Sequence, residues 1–134
     1  MIKNERQYRM AIARVKDFDA ALVRVKAEAA NMPDVAGQMY LETFLGGIAE
    51  LRSEIAEYEA IRDGSDKIIG ELPLVLIKAR IRRHLTQADL AQRLGVHEQQ
   101  VQRWEEHDYQ GVAFERLCEI ARVLQVKVRD AVLA

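Results

Sequence analysis

Gln87-Ala88-Asp89-Leu90-Ala91-Gln92-Arg93-Leu94-Gly95-Val96-His97-Glu98-Gln99-Gln100-Val101-Gln102-Arg103-Trp104-Glu105 holds two short helical patterns separated by a glycine. Thr86, just ahead of it, carries a side-chain oxygen suited to capping the first helix. That helix runs to Leu94, and Gly95 stops it, because the turn that follows needs unusual backbone dihedrals. A second helix begins near His97. Two helices that cross steeply through a tight turn need a small residue where their backbones approach, and Ala91 fills that place. Leu90, Leu94, Val101 and Trp104 then close a core between them.

Gln99 and Arg103 stand two residues either side of Val101, so at about 100° per residue both project away from it. With Val101 anchored inside, the outward ridge of this helix is Gln99, Gln102, Arg103 and Glu106, with Glu98 at its leading end. Such a ridge has the side-chain chemistry that meets base edges in a DNA major groove.

Working outward, the stretch from Leu74 to Arg83 sets Leu74, Ile77 and Ile81 on one face and reads as an amphipathic helix, with Pro73 in its first turn. Lys78, Arg80, Arg82, Arg83 and His84 bunch there. The motif from Gln87 to Glu105 resembles that of the Xre or lambda-repressor-like helix-turn-helix family, and the resemblance covers roughly the last 60 residues: Phe114 to Val126 looks like that family's fourth helix, and Val128 to Leu133 like its fifth. The resemblance departs at Gln125, where glycine is common in the family.

What the resemblance implies is a double-stranded DNA-binding domain without cofactor or metal, in which Gln87 contacts a phosphate and Glu98, Gln99 and Arg103 reach base edges. The chemistry suits those roles: Gln pairs with adenine, Arg with guanine, and Glu accepts from the cytosine amino group. Lys78, Arg82 and Arg83 are expected to add phosphate contacts that position the domain without reading sequence. Ala91, Gly95, Val101 and Trp104 are expected to be the motif's core.

The first half reads differently. Tyr8, Ala11, Val15, Phe18, Leu22, Val25 and Ala29 recur at alternating steps of three and four, and Leu41, Phe44, Ile48, Leu51, Ile55 and Tyr58 do the same after a break at Asn31-Met32-Pro33-Asp34. Asn4, with Gln7 three residues on, looks like a capping box for the first of these helices. Two seams joined by a short turn predict an antiparallel, coiled-coil-like helical hairpin. Gly46-Gly47 interrupts the second helix, either as a local weak spot or as a place where a partner helix comes close. Met10, Ile12, Val23, Leu45 and Ile61 lie off the seams and need another surface. Dimerisation, docking on the C-terminal domain or capture of a second protein would each supply one, and dimerisation is the favoured reading.

Composition agrees with an all-α chain of two parts: a hairpin over 1–64, a linker over 65–72 and a five-helix DNA-binding domain over 73–134. Two prolines and 6% aromatic residues beside abundant Ala, Leu, Glu and Arg favour helix on helix. The net charge of −1 gives no global electrostatic pull toward nucleic acid, so that argument is local. A single cysteine, Cys118, and three histidines without metal or nucleophile spacing point away from a disulfide framework, a metal site and an enzyme. The polar N-terminus and the lack of a long apolar run predict a cytoplasmic protein with no membrane partner. The expectation is a dimeric repressor on a (pseudo)palindromic operator. The alternatives are an antitoxin that binds its toxin through the hairpin and autorepresses their operon, and a phage or mobile-element repressor.

Overall fold

A computed structural model describes residues 1–65 and 71–127. Among the described residues there are six helices and no strand: α1 (Glu5–Ala30), α2 (Asp34–Asp63), α3 (Leu72–Arg82), α4 (Gln87–Leu94), α5 (Glu98–Glu106) and α6 (Phe114–Val123). The all-helical expectation holds. The chain divides into two compact units, Met1–Tyr58 and Glu59–Ala134, so the division falls within α2. The greater part of the expected linker, and the short last helix over 128–133, lie outside the described residues.

In the first unit both expected seams are the packed ones. Ala11 and Val25 of α1 and Ile48, Ile55 and Tyr58 of α2 are buried, and the remaining seam positions are half-buried. Tyr8 stacks on Tyr58 with ring centroids 5.1 Å apart, and Phe18 meets Phe44 edge-on at 5.6 Å. Such aromatic pairs favour one register over its neighbours. At the start of α1 the Asn4 Oδ1 accepts from the Gln7 N–H at 2.8 Å, while the Gln7 Oε1 accepts from the Lys3 N–H. The reciprocal bond of the capping box thus lands one residue earlier than expected.

The close approach of backbones in the hairpin occurs at Gly37. A Cβ there would stand 2.3 Å from the Ala29 carbonyl oxygen, a distance no side chain tolerates. At Gly46 and Gly47 a Cβ would meet nothing within 4 Å, and α2 runs through them unbroken. Of the off-seam apolar residues, Ile61 is buried in the second unit, whereas Met10, Ile12, Val23 and Leu45 stay exposed.

The second unit is built around α3, which is more deeply set than an amphipathic helix. Val75, Leu76, Ile77, Ala79 and Ile81 are all buried, and so is Arg80. α6 packs against α3, and α4 against both α5 and α6. Five helices end in the same way, with a backbone N–H reaching back five residues to a carbonyl: Ser65 to Ala60, Leu85 to Arg80, Val96 to Ala91, Tyr109 to Trp104 and Val126 to Ala121. This closure needs a left-handed residue just before the donor. Gly64 and Gly95 supply it at two ends; His84, Asp108 and Gln125 adopt it at the others, with φ of 56°, 51° and 55°. Gln125 thus takes the backbone conformation that glycine adopts most easily, and α6 ends at Val123, ahead of the expected span to Val126.

Gly37→Ala is expected to lower hairpin stability by about 1–3 kcal/mol through overpacking, whereas Gly46→Ala, in open space, raises it by about 0.5–1 kcal/mol. Denaturant unfolding of the two variants checks both signs.

Candidate nucleic-acid interface

α5 meets the rest of the second unit through one face. Val101 and Glu105, one turn apart, are both 0% exposed, while Glu98, Gln99, Gln102, Arg103 and Glu106 are exposed. The ridge expected from the helical period is therefore the surface of this helix. Gln102 Nε2 donates to Glu98 Oε1 at 3.3 Å, which ties the leading carboxylate along the ridge. His97, at the N-cap, is exposed and makes no side-chain capping bond.

A carboxylate at full burial needs partners, and Glu105 accepts from Arg80 and Gln87. Arg80 of α3, 2% exposed, donates to it in a bidentate fork, Nε to Oε2 at 2.6 Å and Nη2 to Oε1 at 2.8 Å. Gln87 at the start of α4 donates from Nε2 to Oε1 at 2.9 Å. Arg80 Nη1 also donates to the Leu85 carbonyl at 2.8 Å, inside the turn between α3 and α4. α3 and α4 are thus locked to the inner face of α5, and paired charges with satisfied hydrogen bonds are the form in which burial is tolerable. The Tyr109 phenol, buried beside this cluster, is held protonated well above its ordinary range, first by burial and then by the Glu105 charge.

This arrangement revises the local charge picture. Arg80 belongs to the interior and adds nothing to a surface patch. Gln87, expected on a phosphate, is 7% exposed and turned toward Glu105. Arg82 Nε donates to the Ile61 carbonyl at 3.3 Å, and Arg83 Nε to the Leu124 carbonyl at 2.6 Å, so both guanidiniums close chain ends inside the unit. Lys78 is half-buried.

The residues expected to form the motif core differ in depth. Ala91 is 2% exposed, Val101 is fully buried, and Gly95 takes φ of 70° at the end of α4. Trp104 is only half-buried: its ring lies 6.3 Å from that of Tyr109 and under the Arg116 guanidinium at 5.7 Å, where Arg103, His107 and Arg116 line an open groove beside the ridge. The sequence does not mark Arg116: its spacing within an ordinary amphipathic helix gives no sign that it reaches back over Trp104. α4 opens on a full capping box, with Thr86 Oγ1 accepting from the Asp89 N–H at 3.0 Å and Asp89 Oδ2 from the Thr86 N–H at 2.9 Å.

Among the described residues no group of three or more His, Cys, Asp or Glu is placed to hold a metal ion, and no helix is long and apolar enough to cross a membrane. Residues 76–130 match the family model of the helix-turn-helix. Comparison with curated proteins and with solved structures gave no match.

Glu105→Ala strands the Arg80 charge inside and is expected to lower stability by about 3–5 kcal/mol; the paired replacement Arg80→Met with Glu105→Leu loses less. Urea unfolding of the three proteins tests the order. The Asp89 carboxyl is held below its ordinary 3.8 by the Thr86 N–H and then by its hydroxyl. A depressed folded-state value gives stability that is complete above 3.8 and lost as pH falls through the folded-state value. Thermal midpoints of wild type and Asp89→Asn should therefore differ at neutral pH and converge under acid conditions below 3.8.

Proposed function

We propose, on the premise that the C-terminal half belongs to the Xre or lambda-repressor-like helix-turn-helix family, that this DNA-binding protein is a dimeric repressor reading a (pseudo)palindromic operator through α5. The observation that carries the reading is the division of α5: its inner face is spent on Val101 and Glu105, and its outer face offers Glu98, Gln99 and Arg103 to a partner. Gln99 suits adenine, Arg103 guanine and Glu98 the cytosine amino group. Two such helices, one per protomer, would read half-sites about 34–36 Å apart. Positioning contacts to phosphate fall to Lys78 and to the groove of Arg103, His107 and Arg116. Gln87 already donates to Glu105, while Arg82 and Arg83 spend Nε on the Ile61 and Leu124 carbonyls, so a phosphate contact from either arginine falls to its terminal nitrogens.

A second reading, an antitoxin that holds its toxin through the hairpin and represses their shared promoter, draws on the apolar side chains exposed there, Val23, Val35 and Met39 among them. Co-purification with the product of the neighbouring gene separates the two.

Selection from a random DNA library should return a symmetric site. Arg103→Ala should cost about 1–3 kcal/mol of discrimination at one base pair per half-site, and affinity should fall steeply with salt. A wild-type protein that prefers no sequence over random DNA would sink the reading.

A further inference from the structure

The hairpin has two broad faces, and side-chain pairs between its helices mark them. On one, Arg52 Nη2 of α2 lies 2.8 Å from both carboxylate oxygens of Asp19 of α1. On the other, the Tyr40 hydroxyl donates to Glu28 Oε2 at 2.8 Å. Glu28 is nine residues beyond Asp19, which is half a revolution round α1. The Asp19–Arg52 face carries exposed apolar residues on both helices, whereas Met10, nine residues before Asp19, falls on the other. Ile12 lies seven residues before Asp19 and Val23 four after it; Leu45 lies seven before Arg52, with Ala49 and Ala56 flanking that arginine. Val23 is 78% exposed, Ile12 42% and Leu45 41%, so packing between α1 and α2 does not cover this face.

Charge says what covers it. α1 holds six basic residues and four acidic ones, whereas α2 holds two basic and seven acidic. A basic helix beside an acidic one is the complement of itself under a two-fold rotation about the hairpin's long axis, because that rotation lays each α1 over the other copy's α2. The perpendicular two-fold would stack α2 on α2, acid upon acid. Size agrees as well. A 26-residue helix is about 39 Å long, and two packed helices are roughly 18–20 Å wide, giving roughly 700–800 Å² per copy, near what a stable interface needs on each side.

We propose that the Asp19–Arg52 face is the homodimer interface, occupied by a second copy of this chain about a two-fold axis along the hairpin, with each α1 covering its partner's α2. The proposal gives the dimer of the regulator reading a location, and it rests on that reading for the use of two α5 helices, though its test does not. Ile12, Val23 and Leu45 form the apolar centre, and the opposed charges of the helices set the orientation.

Sedimentation equilibrium of the full chain tests it. Wild type should be a dimer whose dissociation constant rises with salt, and Val23→Glu and Leu45→Glu should each raise that constant by about tenfold or more, since a charge is then buried without a partner. Met39→Glu, at a position 63% exposed but thirteen residues from Arg52 and pointing well away from this face, should leave it unchanged. Circular dichroism establishes that each variant is folded. A monomeric wild type, a dimer indifferent to Val23→Glu and Leu45→Glu, an equal loss with Met39→Glu, or a face covered only by a different protein overturns the proposal. A monomer that still selects a DNA sequence removes the interface and keeps the regulator; a dimer without sequence preference does the reverse.

Discussion

Removing a guanidinium and a carboxylate from water costs several kcal/mol for each ion, and the attraction between them offsets this only when the geometry is good and the remaining donors find acceptors. Arg80 and Glu105 meet those conditions with a two-pronged contact, the Leu85 carbonyl and the Gln87 amide. The cluster joins α3, the α3–α4 turn, the first residue of α4 and the inner face of α5. Directional bonds of this kind penalise any rotation of α5 that the apolar contacts of Val101 alone would tolerate. The orientation of the outer ridge is in that sense a product of a charge pair that never reaches the surface.

Much of this protein could be read from its residues, and what escaped has a common cause. The hairpin seams, the Thr86 cap, the turn at Gly95 and the ridge of α5 are all local or periodic, and periodicity reports directly which side of a helix is packed. Arg80 and Glu105 are 25 residues apart and belong to residue types normally solvated, so no window along the chain connects them. The bonds of Gln87, Arg82 and Arg83 are equally out of reach of a local pattern, because their acceptors, Glu105, Ile61 and Leu124, lie on other elements. The close approach at Gly37 depends on the Ala29 carbonyl across the turn, whereas the doublet at Gly46-Gly47 is conspicuous in sequence and meets nothing. The end of α6 was set by the left-handed turn at Gln125, which the departure from glycine had obscured.

The recurrent closure of helix ends gives the second unit its economy of length. Each ending consumes one left-handed residue and returns the chain sharply, which is how the four helices α3 to α6, of 8 to 11 residues, pack together without long connections. Three of these turns use side-chain-bearing residues in a conformation that costs them about a kcal/mol each. Packing around Tyr109, which is 3% exposed and follows Asp108 in the same left-handed region, holds the one directly after α5.

Because α5 is anchored entirely through its inner face, the five exposed side chains of its ridge contribute little to whether the domain folds. Side-chain exchange at Glu98, Gln99, Gln102, Arg103 and Glu106 is thereby largely uncoupled from stability. The chemistry that this surface presents can change one residue at a time while the inner face keeps the helix in place.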